Sequence, residues 1–135
     1  MLMILISIQH WNGSYFADFT LQQLGLYVHL GHEGNSCPYA DPAIRDFTVV
    51  DVSGIHTVNL HFCGCVGAPH HRLQLLAASW FPASLDRPQT AFTFDVLDTF
   101  QLINLQGKTS AYDFYYSLDH KTDNTGALGI QVCIL

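Results

Sequence analysis

A chain of 135 residues is long enough for one domain and can bury roughly two-thirds of its unfolded surface. Charged residues make up only 12%, about half the usual share; five scattered Lys and Arg stand against eleven Asp and Glu for a net charge of −6, which argues against an autonomous grip on nucleic-acid phosphates. The opening MLMILIS is apolar but too short to span a bilayer, and it lacks the basic flank and cleavage pattern of a secretory signal, so a soluble, unsecreted, intracellular protein is expected.

In chain order, Asn12-Gly13-Ser14 reads as a turn rather than a glycosylation site. Thr20 can cap the short turn LQQL, which Gly25 ends, and LYVHL then reads as a strand. GHEGNSCPYADPAIRD is the only stretch with enough Gly and Pro for a long loop. After it, DFTVVDVSGIHTVNLHF contains two β-rich runs joined through Ser53-Gly54, a hairpin. Period-two alternation in its second run puts Val58, Leu60 and Phe62 on a core face and Thr57, Asn59, His61 and Cys63 on the other. LQLLAASWF and TAFTF read as buried strands separated by a loop with Pro82 and Pro88. The period then lengthens. DVLDTFQLINL spaces Val96, Leu97, Phe100, Ile103 and Asn104 as a helix, with Asp95 and Asp98 near its start. SAYDFYYSLDHK reads as a second helix capped by Ser110, with Asp113 three residues on. The expected class is α+β: a small zinc-stabilised antiparallel sheet or hairpin domain followed by two C-terminal helices.

The chemistry sits around the hairpin. If it forms, the chain before it and the chain after it lie side by side, and the loop with His32 and Cys37 can fold back over Cys63 and Cys65. His-x4-Cys followed by Cys-x-Cys supplies an imidazole and three thiolates, a closed tetrahedral set suited to Zn2+, a d10 ion that accepts soft sulfur without redox hazard. Gly64 leaves the tight turn between the last two thiols free of a side chain. The same cysteines also read as small buried hydrophobes. His61, His70 and His71 compete with His32 for the fourth position; the Gly-rich loop around His32 favours it. Cys133 stands alone, and His29, His56 and His120 read as surface or half-buried residues.

Enzymatic readings fare worse. HLGHE matches neither the zincin nor the deaminase pattern, and a zinc hydrolase would need Glu33 beside an open metal position. The closely paired thiols carry no nucleophile signature. The aromatic run with Tyr112, Phe114, Tyr115 and Tyr116 is read as core rather than as a base-stacking surface, because no basic residues accompany it.

WNGSYFADFTLQQLGLYVHLGH, FCGC, and RLQLLAASWFPAS with the run that continues to SAYDFYYSLDHKTDN closely resemble the CxC-two-like cysteine-cluster domain of fungal KDZ (Kyakuja, Dileera and Zisupton) transposases, from about Trp11 to Thr125. The resemblance implies a zinc-chelating module ahead of a ribonuclease-H-like catalytic domain, with His32, Cys37, Cys63 and Cys65 as its matching ligands. It implies an organisation into a non-family segment (1–10), the cysteine-cluster domain (11–106), a helical lead-in to an absent transposase domain (107–125) and an unmatched tail (126–135). A truncated, non-catalytic zinc module is therefore expected, intracellular or nuclear, partnering DNA or a transposase domain, with no membrane and no small-molecule substrate. A metal-free α+β interaction domain or a non-functional transposon relic is the alternative.

Overall fold

The computed structural model of the chain describes residues 7–20, 22–25, 27–32 and 35–122. A two-stranded antiparallel ribbon comes first, β1 (Ser7–Trp11) and β2 (Phe16–Thr20). Its turn is the expected one: Asn12 Oδ1 accepts the backbone N–H groups of Ser14 and Tyr15, both at 3.0 Å. Residues 22–25 form the next turn, closed by the Gly25 N–H on the Gln22 carbonyl at 3.0 Å. The predicted positions 1–6, Leu21, Glu33 and Cys133 lie outside the described residues.

A five-stranded sheet forms the body, with β3 (Tyr27–His29), β4 (Ile44–Asp51), β5 (Gly54–His61), β6 (Trp80–Pro82) and β7 (Thr90–Thr93) in the order β3-β5-β4-β7-β6. The α+β reading holds, and β4 and β5 form the expected hairpin, but the sheet is mixed rather than wholly antiparallel. β3 runs parallel to β5, and β4 runs parallel to β7. Such pairings join segments distant in the chain, so no local turn signal announces them.

LQLLAASWF is a helix followed by a short strand, not one strand. α1 (His71–Ala77) occupies most of it, and Ser79 at φ 63° turns the chain into β6. An apolar run of this length fits a short buried helix as well as a buried strand. His70 Nδ1 accepts the Arg72 N–H at 3.3 Å at the helix start, and Leu75 is fully buried at its centre. The last two helices stand where expected, α2 (Phe94–Gly107) and α3 (Ala111–Thr122). Ser110 caps α3 as read: its Oγ accepts the Asp113 N–H at 3.1 Å and donates to the Asp113 carboxylate at 2.7 Å.

Alternation along β4 and β5 sends side chains to two cores. Val28, Leu30, Phe47, Val49, Val58, Leu60 and Phe62 pack with Leu75 of α1 and Trp80 on one face of the sheet. Val50 and Ile55 pack with Val96 of α2 and Leu118 of α3 on the other. The aromatic run of α3 divides accordingly. Phe114 and Tyr115 are half-buried against this second core, while Tyr112 and Tyr116 stack on each other in solvent.

Thr93 joins strand, helix and hairpin at one point. Its Oγ1 accepts the Val96 N–H at 3.2 Å, capping α2, and donates to Asp51 at 2.7 Å. Burial raises the Asp51 pKa, but hydrogen bonds from Thr93, Ser53 and Val52 outweigh it and hold the carboxylate below its usual range. Thr93→Ala removes both bonds and should lower stability by about 1–2 kcal/mol. The expected readout is an earlier urea midpoint by tryptophan fluorescence; an unchanged midpoint would deny the junction any weight.

Candidate metal centre

The site is built at the C-terminal end of β5. Parallel pairing aligns Tyr27 with Asn59, Val28 with Leu60 and His29 with His61, so β3 and β5 end side by side and point the same way. The Leu30 N–H extends the ladder to the His61 carbonyl at 2.9 Å. From the other side, where the chain returns towards β4, the Asp41 N–H reaches the Phe62 carbonyl at 3.0 Å. The residues after β5 are thus flanked by the loop that leaves β3 and by the segment that leads into β4. His32 and Cys37 come from that connection, Cys63 and Cys65 from the end of β5.

The four donor atoms lie within 4.8 Å of one another and could hold a metal ion. His32 Nε2 is 3.3 Å from Cys63 Sγ and 3.4 Å from Cys65 Sγ. Cys37 Sγ is 3.7 Å from Cys63 Sγ and 3.5 Å from Cys65 Sγ. No cysteine of the trio is in a disulfide. For zinc bond lengths of about 2.3 Å to sulfur and 2.0–2.1 Å to nitrogen, the edges of a tetrahedron come to about 3.8 Å between sulfurs and about 3.5 Å between sulfur and nitrogen. The donor set fits such an ion in both type and spacing.

Two glycines make the approach possible. Gly31 has φ 75°, a region that favours residues without a Cβ, and a Cβ there would lie 2.8 Å from that of Cys63. The reading of Gly64 is borne out for a more specific reason: a Cβ on it would collide with the Tyr39 carbonyl oxygen and sit 2.8 Å from Asp41 Oδ1. His32 itself has φ 47°, a cost for a non-glycine residue that the loop sustains while presenting the imidazole to the sulfurs.

The competing histidines are engaged elsewhere. His61 stacks on His29 at 5.2 Å and its Nδ1 is 3.3 Å from the Asp41 carbonyl oxygen. His71 stacks on Phe62 at 3.9 Å and its Nε2 meets Asp41 Oδ2 at 2.7 Å. His70 caps α1, His120 is exposed beside Tyr116, and His56 is buried against Ser53.

Crowding splits the thiols. Burial raises the Cys37 pKa, but hydrogen bonds from the Tyr39 backbone, the Cys65 thiol, the Gly64 backbone and the Cys63 thiol outweigh it and lower it to about 6. Cys65 is pushed up to about 12 by its hydrogen bonds to Cys37 and Cys63, then by burial and the charge of the same two sulfurs. One sulfur of the group ionises readily, and its negative charge makes the next ionisation costly unless a cation shares the space.

Sequence reasoning missed Gln74, whose amide bonds the Cys63 peptide, and Asp41, whose N–H bonds the Phe62 carbonyl. A polar residue among leucines in HRLQLLA was the one available signal for Gln74, and the strand reading concealed it.

An α+β frame that gathers three cysteines and a histidine at one strand end defines a cysteine-cluster module. Residues 21–126 match the family model described as a CxC2 like cysteine cluster associated with KDZ transposases. With 106 residues matched (126 − 21 + 1) out of 135, the chain belongs to that family. Neither the curated proteins nor the solved structures contain a match to it.

The split thiols set the sign of a pH dependence. At pH 7 Cys65 is protonated and must lose its proton on metal uptake, so apparent affinity should rise at least about tenfold per pH unit from 6 to 8. Below about 6, Cys37 must shed a proton as well and the slope should steepen. Chelator-competition titrations across pH 5.5–8 measure this, and a flat profile would contradict it.

Proposed function

We propose that the chain is a non-catalytic zinc module in which His32, Cys37, Cys63 and Cys65 hold one Zn2+ and thereby fix the two loops at the end of β5. The carrying observation is that four donors, three sulfurs and one ring nitrogen, all lie within 4.8 Å of one another, with four of the six edges at 3.3–3.7 Å, close to those of a zinc tetrahedron. Zinc suits the set better than magnesium or calcium, which take oxygen, and better than copper(II), which favours a flatter arrangement. Four protein donors close the coordination sphere, which supports a structural rather than a hydrolytic ion. When bound, the ion supplies a fixed cross-link between loops that have little core of their own.

The module's role in this reading is to present a contact surface to a partner in a transposase setting. A protein partner is favoured over DNA, because the net charge is −6 and the cations are scattered. The clasped loops also expose Tyr39 and Val66 beside the site, apolar groups suited to a protein contact. Among the described residues, no helix is long and apolar enough to cross a membrane.

The test is the metal content of purified protein after desalting. One zinc per chain is expected, lost in a Cys63→Ser, Cys65→Ser double variant and in His32→Ala, and retained in His61→Ala. Full folding in excess chelator, with no change in thermal midpoint, would remove the proposal. Duplex DNA added to the holoprotein should give no salt-sensitive anisotropy change; a strong one would move the partner from protein to DNA.

A further inference from the structure

β5 stops at His61, yet the chain beyond it stays hydrogen-bonded as if the sheet continued. His61 is served by Leu30 and Phe62 by Asp41. At Cys63 a side chain takes over the part of a neighbouring strand. Gln74 Oε1 accepts the Cys63 N–H at 2.8 Å, and Gln74 Nε2 donates to the Cys63 carbonyl at 3.0 Å. The same Nε2 donates to the Pro69 carbonyl at 3.0 Å, so both of its protons are used.

We propose that Gln74 is a positioning residue for the metal centre, its amide clamping both sides of the Cys63 residue so that Cys63 Sγ stays aimed at the point shared with His32, Cys37 and Cys65. The inference rests on the metal-binding reading above. Gln74 is only 4% exposed and sits next to the fully buried Leu75, a position where packing alone would select an apolar residue. Burying an amide is costly unless its groups are paired, and here the pairing falls on the peptide of one cysteine and the loop just before α1. Gly31 lies against the cysteine side chain itself: a Cβ there would stand 2.8 Å from that of Cys63 and 3.9 Å from Gln74 Oε1. With Gly31 close against its Cβ and the Gln74 amide bonded to its peptide, Cys63 has little freedom to turn its sulfur away. Glutamate in place of Gln74 would keep the acceptor and lose both donor bonds, asparagine would be one methylene short, and methionine would fill the space with no polar contact at all.

The experiment compares wild type, Gln74→Met and Leu75→Val, the last a core change in the same helix that leaves Cys63 untouched. Cobalt(II) stands in for zinc, its absorption reports the ligand sphere, and circular dichroism verifies the fold at the temperature used. Gln74→Met should weaken metal binding by about 10-fold or more and shift the cobalt bands, while Leu75→Val should lower thermal stability with affinity within about twofold of wild type. A folded Gln74→Met with wild-type affinity and spectrum would overturn the positioning role and leave the metal reading standing. Failure of the wild type to bind cobalt or zinc would overturn both. If Gln74→Met does not fold, hydrogen exchange on the wild-type holoprotein decides: the Cys63 amide and the Gln74 side-chain amide should be strongly protected, and exchange of either as fast as an exposed glutamine would refute the clamp.

Discussion

The structure turns on the parallel register between β3 and β5. Pairing His29 with His61 brings two strand ends together at one level and sends both chains onward in the same direction. His32 and Cys63 then meet as a matter of distance along the chain, each a few residues past its strand. Had β3 paired antiparallel, its exit would lie at the opposite end of β5 and the imidazole would be a strand length away. The β4–β5 hairpin completes the arrangement by returning the loop with Cys37 across the same end.

Three sulfurs within contact distance form an electrostatic problem as well as a geometric one. Cys37 is pulled down to about 6 and Cys65 pushed up to about 12, the split that hydrogen bonding and mutual repulsion impose on closely packed thiols. A divalent ion reverses that cost, because each thiolate then faces charge of the opposite sign. Structural zinc in small domains contributes folding free energy directly, on the order of 10 kcal/mol or more in finger peptides. The loops around this site bury few large apolar side chains, whereas Phe47, Leu60 and Phe62 sit deep in the sheet core beneath it. In the proposed zinc reading, sheet and metal divide the labour: the sheet sets where the loops start, and the ion sets how they end.

Much of this was legible. Ser53-Gly54 between two β-rich runs marks the hairpin, and the Cys-x-Cys and His-x4-Cys spacings, together with Gly64, mark the four side chains that gather at the end of β5. Ser110 and Asp113 mark the start of α3. The parallel partner of β5 was not legible, because LYVHL carries no mark of which strand it joins or in which direction. α1 was hidden because a mostly apolar run as short as the nine residues of LQLLAASWF fits a buried strand as well as a buried helix. Gln74 followed α1 out of view, since a strand reading gives it no reason to face Cys63. Asp46, at φ 58° in the irregular stretch between Ile44 and Phe47 where β4 slips against β5, also has no local cause; its contacts to Gln22 are made across 24 positions of chain.

The central claim is that one ion is held at the end of β5 by three sulfurs and one ring nitrogen of this chain. X-ray absorption at the zinc edge of the purified holoprotein tests it most directly. The account predicts four-coordinate zinc with three sulfur neighbours at about 2.3 Å and one nitrogen at about 2.0 Å. A shell dominated by oxygen or nitrogen, or one with fewer than three sulfurs, would contradict it.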